Sequence, residues 1–138
     1  MKDHEVILTF GIWDFSEIDH AYITNLMGFE PNIIYRLGER RIPNKGQPSK
    51  RNGWLWRPEV VDKTLLDSFE LQLNSILGKF ENKIAELKQI EKYCFFEIRC
   101  GLFLYSGNGK STPIVHFDKR YNDFVREINV EFDFDIYV

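Results

Sequence analysis

The sequence predicts an α+β fold in which helices pack on one face of a mostly antiparallel sheet, in the order β-α-β-α-β-β-α-β. Apolar and polar residues alternate along residues 93–105 and along residues 130–138, which is the pattern of strands with one buried face. Apolar residues recur every three or four positions between residues 66 and 87, as in an amphipathic helix. A glycine-rich turn at residues 106–110 predicts a hairpin, and therefore antiparallel pairing.

Length and composition predict one domain over residues 1–138. A chain of 138 residues buries enough surface to fold around a single core, and its 43% apolar content includes 12 phenylalanines. The N-terminus leads directly into an apolar strand pattern without the succession of a secretory signal, and no apolar run reaches the roughly 20 residues of a membrane span. We therefore expect a soluble cytoplasmic protein.

The N-terminal part predicts a strand followed by a helix. Residues 5–13 are β-branched and aromatic, as expected of a well-buried strand. Ser16 and Asp19 resemble a capping box, and apolar residues follow at helical spacing until Gly28, which ends the helix.

A long irregular connection occupies residues 32–59, punctuated by glycine and proline. It contains at most two short strands, near residues 33–35 and 54–56. A connection of this length is often functional. The long helix that follows is predicted to begin at Thr64 and to be kinked or broken at Gly78.

The C-terminal part is predicted to form a returning strand, a short helix and a last strand. Ile114 to Phe117 would pair back after the hairpin turn, Asp118 would cap the helix, and residues 130–138 would form the last strand. Cys94 and Cys100 fall on one face of the same predicted strand, about 20 Å apart, so they are interpreted as core residues and not as a disulfide.

Several landmarks resemble, in order, a bacterial family known only as domain of unknown function 4279. They are Leu26-Met27-Gly28-Phe29-Glu30-Pro31, Leu37-Gly38-Glu39, Trp54-Leu55-Trp56, the amphipathic helix after them, and Phe132-Asp133-Phe134-Asp135-Ile136-Tyr137. The resemblance spans nearly the whole chain and supplies no catalytic residues. Because small bacterial domains of this kind often lie among toxin and immunity genes, it implies by analogy an immunity protein.

No motif predicts a cofactor or a metal. The Gly-Lys-Ser at residues 109–111 lacks the upstream glycine of a phosphate-binding loop and is followed by Pro113. The three histidines are dispersed, without the spacing that places two imidazoles on one helix face. An enzyme remains an alternative, with a site around His116 and Asp118, which would share a strand face.

Charge is distributed unevenly along the chain, whose net charge is −3. Residues 1–30 carry one basic and six acidic side chains, whereas residues 31–63 carry eight basic and three acidic ones. The overall balance disfavours a general nucleic-acid binder. The basic segment 36–57, with its tryptophans, nevertheless leaves single-stranded nucleic acid open as a second alternative.

The leading hypothesis is a non-enzymatic protein that binds a protein partner, for which a toxin domain is the candidate, and the sequence is also compatible with a homo-oligomer. Two candidate surfaces are not ranked: the acidic ladder Glu131, Asp133 and Asp135, and the basic group Arg40, Arg41, Trp54 and Arg57. Each has a structural alternative. The ladder could be neutralised by a basic residue on a neighbouring strand, and the basic segment could pair with the acidic first helix while one tryptophan, Trp56, covers the core.

Overall fold

The computed structural model, which describes residues 2–138, contains a five-stranded sheet and five α-helices. The elements in chain order are β1 (Glu5–Trp13), α1 (His20–Met27), β2 (Ile33–Tyr35), β3 (Gly53–Trp56), α2 (Lys63–Leu66), α3 (Phe69–Phe80), α4 (Ile84–Ile90), β4 (Phe95–Phe103), α5 (Lys119–Glu127) and β5 (Val130–Tyr137). The predicted α+β class is confirmed, and both short strands of the long connection are present.

The sheet order is β2-β3-β1-β4-β5, and three of the four strand pairs are antiparallel. The pair β4–β5 is parallel, because the chain leaves the end of β4, crosses through α5 and returns to run in the same direction. The sheet is therefore mostly antiparallel, as predicted, with β1 at its centre and β5 at one edge.

The core lies between one face of the sheet and the helices. Alternate residues of β1 and β4 point into it and are almost fully buried, together with apolar residues of α1, α3, α4 and α5. The rings of Phe10 and Phe80 stack with centroids 4.0 Å apart, which joins the central strand to the longest helix. Cys100 belongs to this core and Cys94 packs against it, and both thiols are free, as predicted.

Gln72 of α3 is buried in this otherwise apolar layer and completes the hydrogen bonding of β1. Strand β3 pairs with β1 only along Phe10–Trp13, so the backbone of β1 at Val6 and Leu8 has no strand partner on that side. The Gln72 amide replaces that partner: Oε1 accepts from the Leu8 N–H at 2.9 Å, and Nε2 donates to the Val6 carbonyl at 2.6 Å. Nε2 also donates to the carbonyl of Leu65 at 2.9 Å.

The predicted hairpin after β4 is wrong, and residues 114–117 form no strand. Strand β4 pairs with β1 on one side and with β5 on the other, so neither of its edges is free to receive a returning strand. The turn instead folds against the N-terminus: His4 Nδ1 accepts from the Tyr105 N–H at 3.0 Å, and Asn108 donates to the Lys2 carbonyl.

Three predicted helix boundaries are also corrected. Asp19, and not Ser16, caps α1, since its carboxylate accepts from the Tyr22 N–H at 2.8 Å. The start predicted at Thr64 is replaced by two caps, Asp62 for the one-turn α2 and Ser68 for α3. Helix α3 also continues through Gly78 to Phe80. Asp118 caps α5 as predicted.

None of the helices found among residues 2–138 combines the length and the apolar character required to cross a bilayer.

Replacing Gln72 by leucine is expected to destabilise the fold by about 2–4 kcal/mol. The substitution keeps the volume but removes the Gln72 partners of the buried Leu8 N–H and the buried Val6 carbonyl. Urea unfolding of the variant measures this difference. The exposed Gln89 of α4 provides the matched control, and Gln89→Leu should change stability by less than about 0.5 kcal/mol. Equal effects of the two substitutions would contradict the role given to Gln72.

Candidate functional site

The face of the sheet opposite the helices collects the polar side chains of the alternating strands. We call it the open face. It comprises Thr9, Gly11, Trp13, Tyr35, Leu55, Arg57, Glu97, Arg99, Glu131, Asp133 and Asp135. Because side chains alternate along a strand, these residues point to the side of the sheet away from the core.

Trp13 lies flat on the open face because glycines occupy the positions beneath it. A Cβ at Gly53, its partner on β3, would come within 2.6 Å of the indole, and a Cβ at Gly11 would collide with the indole nitrogen. The ring of Tyr35 stacks beside the indole at 5.7 Å. Both glycines have negative φ, so their role is to permit this close approach and not to form a turn.

Arg51 covers the other side of the Trp13 ring. Its guanidinium lies 4.4 Å from the ring centroid and is held by two hydrogen bonds to Asp14, at 2.7 and 3.0 Å. This cation–π contact fixes the end of the long connection against the sheet. One end of the open face is therefore closed by an ordered aromatic and arginine stack.

A small cleft follows this stack along the sheet. It has a volume of about 150 Å³ and is lined by Thr9, Gly11, Trp13, Tyr35, Leu55, Arg57, Glu97 and Arg99. Its floor is low because Thr9 and Gly11 are small, whereas aromatic and charged side chains form its walls. Such a mixture of apolar walls and a few converging polar groups is typical of ligand sites.

Glu97 supplies the carboxylate that lines the cleft, and only 8% of its surface is exposed. Burial raises its pKa above the ordinary 4.5, and the nearby Asp133 and Glu131 act in the same direction, against the opposing effects of Arg99 and Arg51. Its ion pair is with Arg99, at 3.3 Å. The cleft therefore contains an acid that is held in its neutral form to a higher pH than an exposed glutamate.

The acidic ladder of β5 borders the cleft. Arg99 lies within 3.6 Å of Asp133 and 3.9 Å of Asp135, so the structural alternative of neutralisation by a neighbouring strand holds for these two residues. The same guanidinium also pairs with Glu97. Three carboxylates therefore share one arginine, and this part of the open face keeps a net negative charge.

A family model described as domain of unknown function (DUF4279) matches residues 4–138. The chain belongs to this family. The match covers every strand and helix of the fold, and with them the cleft and the acidic ladder. Neither a curated protein nor a solved structure matches the chain.

The structure separates the residues of the predicted basic surface. Trp54 has no exposed surface and donates through Nε1 to Thr24 Oγ1 at 3.0 Å, so its assignment as a surface anchor is wrong. Arg57 belongs to the cleft. Arg40 and Arg41 lie on the exposed connection, where they line a shallow depression with Arg36 and Glu39.

His116 and Asp118 of the enzyme alternative lie in an irregular segment before α5. They share no strand face, because the strand predicted there does not form. His116 is exposed, and the carboxylate of Asp118 accepts from the Tyr121 N–H as the helix cap. The thiols are equally unsuited to nucleophilic chemistry, because burial raises the pKa of both Cys94 and Cys100 to about 12.

The candidate residues that sequence reasoning missed are Trp13, Tyr35, Glu97 and Arg99. A signal for two of them was present, since Glu97 and Arg99 are the charged residues on the face of β4 opposite its wholly apolar face. Trp13 gave no such signal. It ends an apolar strand and reads as a core residue until its partner is known to be a glycine.

Replacing Glu97 by glutamine is expected to stabilise the fold at neutral pH. Because the folded-state pKa is raised above 4.5, the folded chain binds this proton more tightly than the unfolded chain, and stability falls as the pH rises from 4.5 through the folded-state pKa. Glutamine mimics the neutral acid and avoids that loss. Thermal unfolding between pH 4 and 8 should therefore show an advantage of Glu97→Gln that disappears toward the acid end.

The exposed Glu17 provides the control, and Glu17→Gln should leave the pH profile of unfolding close to that of the parent chain. A Glu97→Gln variant that loses stability at neutral pH would contradict the conclusion that burial favours the neutral form of Glu97.

Proposed function

We propose that the chain is a non-enzymatic binding protein whose acidic ladder docks a basic protein surface, and that it acts as an immunity protein of the bacterial cytoplasm. The observation that carries this proposal is that three carboxylates, those of Glu97, Asp133 and Asp135, share the single guanidinium of Arg99. The side chains of Asp133 and Asp135 remain 51% and 44% exposed and are accessible to a partner.

The position of the ladder supports a partner of opposite charge. Strand β5 is an edge of the sheet, with Ile136 61% and Tyr137 52% exposed beside the carboxylates. A sheet edge with exposed apolar side chains is a docking site for another chain. Pairing with a second copy would bring the acidic residues of two β5 strands together, and like charges directly opposite each other destabilise such pairs.

A basic partner would instead gain from the same arrangement. Complementary potentials accelerate association and suppress binding of wrong partners, and their effect decreases with salt. A toxin that acts on nucleic acid presents such a basic surface, and a row of carboxylates would occupy it in place of phosphates. An immunity protein needs this combination of rapid and selective binding.

The test uses the product of the adjacent gene, provided that its expression alone arrests growth. Co-expression of this chain should restore growth. The double charge reversal Asp133→Lys with Asp135→Lys should abolish the rescue, reduce the association rate constant of the purified proteins at least about tenfold, and weaken its dependence on salt.

The double variant Glu17→Lys with Glu30→Lys is the control, since it makes the same change in net charge at two exposed positions of the N-terminal segment. It should bind like the parent chain. The proposal fails if no neighbouring product arrests growth, or if charge reversal on β5 and in the control have equal effects while both variants remain folded.

A further inference from the structure

The cleft of the open face contains two buried donors without hydrogen-bond partners. Among residues 2–138, three buried side-chain nitrogen or oxygen atoms have no partner: Trp13 Nε1, Arg57 Nε and Glu86 Oε2. The first two line the same cleft. Buried polar groups in folded proteins are satisfied with few exceptions, so two unpartnered donors in one cleft require an explanation.

Both unpartnered atoms are N–H groups, so the missing group is an acceptor. Arg57 takes part in none of the ion pairs formed among residues 2–138. Its guanidinium is therefore a positive charge available to an anionic oxygen. A carboxylate offers two acceptor oxygens in one plane, which matches the fork geometry of a guanidinium.

The opposite wall of the cleft favours a hydrogen-bond donor on the ligand. Gly11 of β1 pairs with Leu55 of β3 on one side and with Glu97 of β4 on the other. The low floor of the cleft therefore lies between the Glu97 carboxyl group and the Arg57 guanidinium. Its ion pair with Arg99 at 3.3 Å leaves lone pairs for a further hydrogen bond. A ligand that bridges the cleft therefore accepts on the Arg57 side and donates on the Glu97 side.

We propose that the cleft binds a small carboxylate that carries a hydroxyl or amino group on the neighbouring carbon. Its carboxylate accepts from Arg57 and Trp13 Nε1, and its hydroxyl or amino group donates to Glu97. The volume of about 150 Å³ accommodates a molecule of several non-hydrogen atoms. A dianionic phosphate is disfavoured, because the buried carboxyl of Glu97 lies beside it.

Binding includes a movement of the Arg57 side chain. Both unpartnered nitrogens are covered from solvent, so an acceptor reaches them only when a side chain rotates. Arg57 is half-buried and can make this movement, whereas Trp13 is fixed between the glycines, Tyr35 and Arg51. This site is independent of the proposed protein partner, and either proposal can fail alone.

The indole N–H signals of the three tryptophans in ¹H–¹⁵N spectra provide the readout, with that of Trp13 assigned from Trp13→Phe. Titration with L-lactate or L-alanine should move the Trp13 signal saturably. The Trp54 signal should remain fixed, because its N–H already donates to Thr24. Acetate, which lacks the donor group, and inorganic phosphate should both bind more weakly.

Arg57→Gln should weaken the binding of lactate or alanine at least about tenfold, the loss expected for a charge-assisted hydrogen bond. Arg57→Lys retains the positive charge but not the two parallel donors of the guanidinium, so its affinity should lie between that of Arg57→Gln and that of the parent chain. Arg126→Gln, a change of equal charge at an exposed position of α5, should leave the affinity unchanged.

The proposal is overturned if neither lactate nor alanine moves the Trp13 signal saturably, if acetate or phosphate binds as tightly as they do, or if Arg57→Gln and Arg126→Gln have the same effect. None of these outcomes bears on the charge-reversal experiment on β5.

Discussion

Helices cover only one face of the sheet, and the rest of the structure depends on this asymmetry. Strands alternate their side chains with a period of two, so a sheet covered on one side directs every second residue to the core and every other residue to the opposite face. In β1 this divides Leu8 and Phe10 from Thr9 and Gly11, and in β4 it divides Ile98 from Glu97 and Arg99. The arrangement of polar groups follows directly from this division.

Arg99 connects the two proposed binding regions of the open face. It pairs with Glu97 inside the cleft and with Asp133 and Asp135 on the acidic ladder. The same side chain thus limits the negative charge of the ladder and forms a wall of the cleft. A partner that supplies its own basic side chain to the ladder would compete with Arg99 for the carboxylates of Asp133 and Asp135.

The sequence predicted best what depends on local periodicity. The bounds of β1 follow from its run of β-branched and aromatic residues, and those of β5 and the buried face of β4 follow from alternation; neither pattern requires knowledge of the partner strands. The hairpin after β4 was wrong because a turn motif is local, whereas the availability of a strand edge is decided by the whole sheet. The role of Gln72 was not predicted for the same reason, since its partners are unpaired backbone groups 64 and 66 residues away.

The candidate site was predicted only in part. The acidic ladder and Arg57 were identified from charge. Trp54 was wrongly assigned to the surface, although its spacing from Trp56 indicated otherwise: residues two apart on a strand share a face, and Trp56 was expected to cover the core. Both contact Phe29 and Phe80 on the core side. The cleft itself could not be predicted, since it depends on the register that places Gly53 opposite Trp13.

Hydrogen–deuterium exchange of the chain, alone and mixed with the product of the adjacent gene, provided that this product arrests growth, tests the central claim that the open face is the recognition surface. We expect new protection concentrated in β4 and β5, with little change in α3, α4 and α5. Protection confined to the helices, with β5 exchanging as in the free protein, would contradict the account.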